Sequence, residues 1–188
     1  MKTKMHRFIA FDIGFRNFAF SVIDVEQETW NVMYIENKDL LENNSMNNVS
    51  TEFWQSFQLY LYSIGHVFES VEIALIEKQM GYRGKTNYKA IQMASQLMAH
   101  LLLVHPTIMV MEYASTQKTK LFGSSLSTWK DRKNWSVNFV HTLLEEQGDE
   151  IVQGWLSQFS KQDDICDTIL MILAYNMEKK KLFIDRKI

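Results

Sequence analysis

The sequence predicts an α/β protein, a mixed five-stranded sheet with helices on both faces. Short apolar runs of strand length alternate with longer segments of helical spacing, Phe8–Phe11 and Val71–Ile76 being clear strand runs. Three strand-like segments come first, and helix, strand, helix, strand, helix follow, the order of a mixed sheet covered on its faces. Apolar residues make up 46% and aromatics 13% of 188 residues, a globular composition large enough for one domain, residues 1–188, with a real core.

Each element has its own signal. Arg7–Ile13 reads as a first strand and Asn17–Val25 as a second, joined by the tight turn Gly14-Phe15-Arg16. Phe18, Phe20 and Val22 alternate with smaller residues, a period of two. Glu28–Ile35 is the third strand, and the Asn-rich stretch 37–50 a loop. A helix runs from Ser50-Thr51 to Phe68, with Phe53, Phe57, Tyr60 or Leu61, and Ile64 at helical spacing. Glu72–Glu77 is a buried-type strand, followed by a loop from Gly81 to Thr86. Asn87–His105 is the clearest helix, with Ile91, Ala94, Met98, Leu101 and Leu102 facing inward and Pro106 ending it. Thr107–Tyr113 is a strand, 114–128 a polar loop, and Trp129–Glu146 and Asp164–Glu178 are helices.

Composition narrows function. The single cysteine, Cys166, allows no internal disulfide and reads as packing in a reducing, intracellular setting. No apolar run reaches the roughly 20 residues needed to span a bilayer, so no membrane role is expected. Net charge is −2, yet residues 78–133 hold nine basic and only two acidic side chains. That segment is either a local face for phosphates or ordinary solvated surface.

Four acids stand where apolar runs end: Asp12, Glu77, Asp164 and Asp167. A carboxylate at a core edge is costly without an opposite charge against it. Asp164 and Asp167 are three apart and share a helix face, where they either cap the helix or hold a cation. Carboxylates gathered from distant segments are a usual cage for magnesium or manganese, so metal-assisted phosphoryl chemistry is the leading reading.

The motifs around these acids carry a resemblance. Asp12-Ile13-Gly14-Phe15-Arg16-Asn17, then Ile76-Glu77-Lys78-Gln79, then Lys161-Gln162-Asp163-Asp164-Ile165-Cys166-Asp167 resemble, in order, the three motifs of RuvC-type Holliday junction resolvases. The poxvirus and fungal mitochondrial branch is the most similar, over Arg7 to about Asn176. Lys161-Gln162 stands where that branch has a double lysine.

The resemblance implies a ribonuclease H-like fold and a homodimeric, metal-dependent endonuclease that nicks four-way DNA junctions symmetrically. It implies two Mg2+ ions, with Mn2+ as a substitute, held by Asp12, Glu77, Asp164 and Asp167. It also implies a catalytic lysine, with Lys133 preferred to Lys130. Of the other basic residues of the middle segment, Arg83, Lys85, Lys89, Lys118 and Lys120, together with Lys130, are the expected DNA contacts. Tyr82 and Phe122 are either stacking residues at an opened junction or edge-of-core packing. The absence of an Arg/Ser-rich leader favours the poxvirus-type protein, working in host cytoplasm where viral DNA replicates.

Three other readings compete. Actin-like and sugar-kinase ATPases share the fold core and an Asp-x-Gly-x-x-Asn opening, but need a second domain and a second Gly-rich loop. A junction-binding module would not need all four acids. A nuclease of the same fold acting on an RNA–DNA hybrid or a flap remains open, because fold does not fix substrate.

Overall fold

The computed structural model describes residues 4–41, 50–79, 87–122 and 128–185. Its strands are β1 (His6–Asp12), β2 (Phe18–Glu26), β3 (Thr29–Lys38), β4 (Ile73–Glu77) and β5 (Met109–Tyr113), in the sheet order β3-β2-β1-β4-β5. β1, β2 and β3 form an antiparallel meander, while β4 and β5 run parallel to β1. The sheet is therefore mixed and five-stranded, as the sequence predicts.

The helices are α1 (Thr51–Ser63), α2 (Tyr88–Val104), α3 (Ser115–Leu121), α4 (Trp129–Gln147), α5 (Glu150–Leu156) and α6 (Gln162–Asp185). The two-residue period of the strands sorts side chains between two cores. Ile9, Phe11, Phe18 and Phe20 point into one layer, against Phe57 and Leu61 of α1 and Met93 and Leu97 of α2. Phe8, Ala10, Ala19 and Ile23 point into the other, against α6 and the inner faces of α4 and α5. Helices thus cover both faces.

Helix α6 is fully buried at Ile165, Cys166 and Thr168–Ile172. A helix apolar on all sides must be enclosed, and this one lies between the sheet and helices α3 and α4. Burial pushes the Cys166 thiol up to about 12, so it acts as packing.

Four elements differ from the sequence reading. The segment expected to be a polar loop contains α3. Helix α5 was not foreseen; its Asp149 cap, accepting from the Val152 amide, sits in a segment too short to show a period. The helix expected to reach Phe68 stops at Ser63, and a 3-10 turn, Gly65–Phe68, continues the chain. On α2 the buried stripe is Ala90, Met93, Ala94, Leu97, His100 and Leu101, whereas Leu102 is exposed. The stripe runs through His100 because its Nδ1 lies 3.0 Å from Gln58 Oε1 and its ring packs edge-on against Tyr62.

Candidate active site

Asp12 closes β1 and Glu77 closes β4, two neighbouring parallel strands in register at Phe11 and Ile76. The next residue on each strand is an acid, so Asp12 and Glu77 are adjacent. Phe8, Ala10, Ile73 and Leu75 face the α6 layer. The same parity turns Asp12 and Glu77 towards α6. Helix α6 presents Asp164 and Asp167 from its N-terminal end, where carboxylates are favoured by the unpaired amides. The fold thus brings together the four acids picked out in the sequence.

They are near enough to feel one another's charge. The Asp12 carboxyl is pushed well above the usual carboxylate range, first by burial, then by the charge of Glu77 and a hydrogen bond shared with it. Asp164 and Asp167 add to the effect. Such crowding favours a shared proton or a bound cation.

Two lysines reach the acids of α6. Lys118 Nζ stands 2.7 Å from Asp167 Oδ2. Lys133 Nζ stands 3.0 Å from Asp164 Oδ1 and also pairs with Asp163. Among the described residues, no three His, Cys, Asp or Glu side chains converge tightly enough to ligate one ion as they stand. The acids are instead divided into pairs, Asp12 with Glu77 and each α6 acid with a lysine. The donor set still fits a divalent cation chemically, being all carboxylate oxygen around a carboxyl that resists ionising for want of positive charge. In the structure as it stands, one oxygen of each of Asp164 and Asp167 is engaged by a lysine.

The first motif has its own structural logic. A Cβ on Gly14 would meet the Asn17 carbonyl oxygen at 2.6 Å, so the turn after Asp12 admits no side chain there. With its oxygen turned to Lys161, the Asn17 amide accepts from Lys161 Nζ at 3.0 Å and donates to the Arg16 carbonyl at 3.2 Å. Asn37 Nδ2 donates to the Lys161 carbonyl at 3.2 Å, so the loop before α6 is tied to β3 as well as to the turn. Gln162, the departure from the family motif, lies 2.9 Å from His141 Nε2 through its Oε1.

A cleft of about 260 Å3 opens beside the acids, lined by Glu77, Asp167, Lys118 and Lys133 together with Thr116, Thr119, Arg132 and Trp135. On the other side of Lys133 lies a groove of about 470 Å3 that includes Lys130, Asn134, Ser160 and Asp163. Lys133 stands where the two meet.

The expected DNA contacts fall into three groups. Lys130 and Lys120 are exposed and Lys89 is half-buried in the first turn of α2. Arg83, Lys85 and Tyr82 lie outside the described residues. Lys118, expected on a surface loop, is only 5% exposed, because α3 carries it inward onto Asp167. Phe122 packs on Phe139 at 5.1 Å beside the α6 core. Sequence reasoning missed Arg132, exposed in the cleft wall, and Trp135, stacked on Phe139 at 5.2 Å. Both share the Trp129–Trp135 segment with Lys133, where three basic residues between two tryptophans were the available signal.

Comparison with known proteins places this geometry. A family model described as "Poxvirus A22 protein" matches residues 7–179. "Uncharacterized protein 97L" of Invertebrate iridescent virus 3 is 31% identical over 102 residues, 54% of this chain and 46% of that protein. The match thus spans about half the length of that relative. The structure of Thermus thermophilus RuvC superposes with a TM-score of 0.59 at 15% identity, over 92% of this chain and 96% of that one. The yeast mitochondrial Holliday junction resolvase Ydc2 superposes with a TM-score of 0.63 at 17% identity, over 90% of this chain and 77% of that one. The fold is therefore the RuvC-like, ribonuclease H-like fold that the motifs imply. With the family model matching nearly all of the sequence, the chain belongs to the poxvirus A22 protein family.

Proposed function

We propose that this chain is a divalent-metal-dependent endodeoxyribonuclease that resolves four-way DNA junctions by paired, symmetric nicks. One observation carries the reading: Asp12, Glu77, Asp164 and Asp167 meet at one end of the sheet, beside a cleft and groove bearing Lys133, Lys130 and Arg132. Membership of the poxvirus family and the fold of Ydc2, named as a junction resolvase, support the substrate. The protein acts as a homodimer, since two symmetric cuts need two active sites. Its setting is viral DNA recombination and the resolution of replication intermediates in the host cytoplasm.

The four acids hold two magnesium ions, with manganese as a substitute, which when bound supply charge neutralisation and a more acidic attacking water. Asp12, hemmed in by Glu77, Asp164 and Asp167, is the ligand whose ionisation depends most on that positive charge. Lys133 stands at Asp164 in the mouth of both cavities, positioned to pair with a non-bridging phosphate oxygen where charge develops. Lys130 in the groove and Arg132 in the cleft flank it and take neighbouring phosphates. Arg83, Lys85, Lys89 and Lys120 supply the outlying contacts. The net charge of −2 makes that local face the main source of DNA affinity.

The test uses purified protein with a labelled four-way junction and a linear duplex, with magnesium or manganese, and with a chelator. Junction cutting that needs the metal is expected. Asp164→Asn is expected to lower the cutting rate by about a thousandfold, as loss of a charge-stabilising group does, while junction binding remains measurable. Equal cutting of duplex and junction removes the resolvase reading. Absence of metal-dependent cutting on any nucleic acid removes the nuclease as well.

A further inference from the structure

Lys118 is the cation whose position the sequence least foretold. Its side chain is 6% exposed, against 23% for Lys133, and its Nζ is 2.7 Å from Asp167 Oδ2. A positive charge so enclosed is costly without an opposite charge against it, and the carboxylate that meets Lys118 is a candidate metal ligand. Helix α3 packs on α6, so the contact is built into the fold. Lys118 and Asp167 also line the same cleft as Glu77.

An oxygen of Asp167 can face the ammonium or join a divalent cation's shell, but close packing of both positive charges against it is repulsive. We propose that Lys118 is a resident counter-cation that competes with the divalent ion for Asp167 and so sets the metal affinity of the protein. The assignment of Asp167 as a metal ligand is taken from the proposed function. Lys118 acts here through Asp167: it is a positioning residue that holds one ligand away from the ion until the ion outcompetes it. Lys133 bridges Asp163 and Asp164 in parallel, but with Asp163 as an alternative partner it can stay charged when Asp164 turns away. Among the described residues Lys118 meets one carboxylate, that of Asp167, so its competition is the more direct.

The deciding measurement is a Mn2+ titration of the protein without DNA, read from the paramagnetic resonance of free Mn2+ and from calorimetry. Lys118→Met keeps the length and apolar body of the side chain and removes the charge. One class of Mn2+ sites is expected to tighten about tenfold in Lys118→Met, a coupling typical of competing ligands. Asp167→Asn should weaken that class, and adding Lys118→Met to it should restore nothing. Lys118→Gln serves as a second variant, and cooperative thermal unfolding confirms that each is folded. Unchanged or weaker Mn2+ binding in the folded lysine variants overturns the proposal, as does absence of Mn2+ binding in every form. The titration involves no cleavage. Tighter binding with no junction cutting would therefore sink the nuclease alone, and intact cutting with unchanged Mn2+ affinity would sink the competition alone.

Discussion

Asp24 is 4% exposed in the middle of the sheet, and its charge is tolerated because Arg7 grips both of its oxygens at 2.7 Å across β1 and β2. The arrangement is bidentate, and the Asp24 hydrogen bond raises the Arg7 pKa. Removing one partner of a buried pair strands the other charge. Arg7→Ala is therefore expected to lower stability by about 3–5 kcal/mol, and adding Asp24→Asn should recover part of it. Urea unfolding of the single and double variants checks both statements. This pair was not evident in the sequence, whereas Asp12 and Glu77 were. The difference lies in context: an acid that ends an apolar strand stands out, while nothing local tells that Asp24, on the face of Phe18, Phe20 and Val22, meets an arginine of the neighbouring strand. Lys118 was misread for a related reason. Nothing local marks a lysine as buried, and its partner Asp167 lies on a helix far along the chain.

Helix α6 was legible from its apolar run and acidic first turn, and so was its role in carrying Asp164 and Asp167. What fixes its position on the sheet was not. The Thr168 hydroxyl is fully buried, within 2.9 Å of Ser21 Oγ on β2 and 2.7 Å of the Ile165 carbonyl. This polar contact sits one helical turn from Asp164, inside an otherwise apolar seam, and pins the helix in register with the strands. Thr168→Val leaves the Ser21 hydroxyl without its partner and is expected to cost about 1–3 kcal/mol. Pairing it with Ser21→Ala should cost less than the sum of the single changes, as a double-mutant cycle by chemical denaturation will show. Helices α3 and α5 escaped sequence reading because seven residues are too few to establish a 3.6-residue period. The α2 stripe was misplaced at Leu102 because a histidine was not counted as a core residue.

Across the whole molecule, the mixed sheet with helices on both sides was legible because it follows from element order alone. The pairing of β1 with β4 is a choice among topologies that only the motifs pointed to. Global stability carries a pH signature from the seam between α1 and α2. Burial holds His100 and His105 below the ordinary value of 6.5, and the neighbouring charge of His105 adds to the effect on His100. The unfolded chain then binds protons that the folded chain refuses, so stability rises with pH between the folded and unfolded values. This contribution is fully present above about 6.5 and is lost as pH falls below it. The urea midpoint of the wild type should therefore drop more steeply between pH 7 and 5 than that of His105→Gln. The enclosure of α6 has a further consequence during synthesis. A growing chain can pair β1 with β4 and set Asp12 beside Glu77 long before Asp164 and Asp167 have been made. The apolar perimeter of α6 has no home except the slot between sheet and helices, so closing the core and completing the four-acid cluster are one event. A copy whose final helix has come loose therefore holds only half of the four-acid cluster.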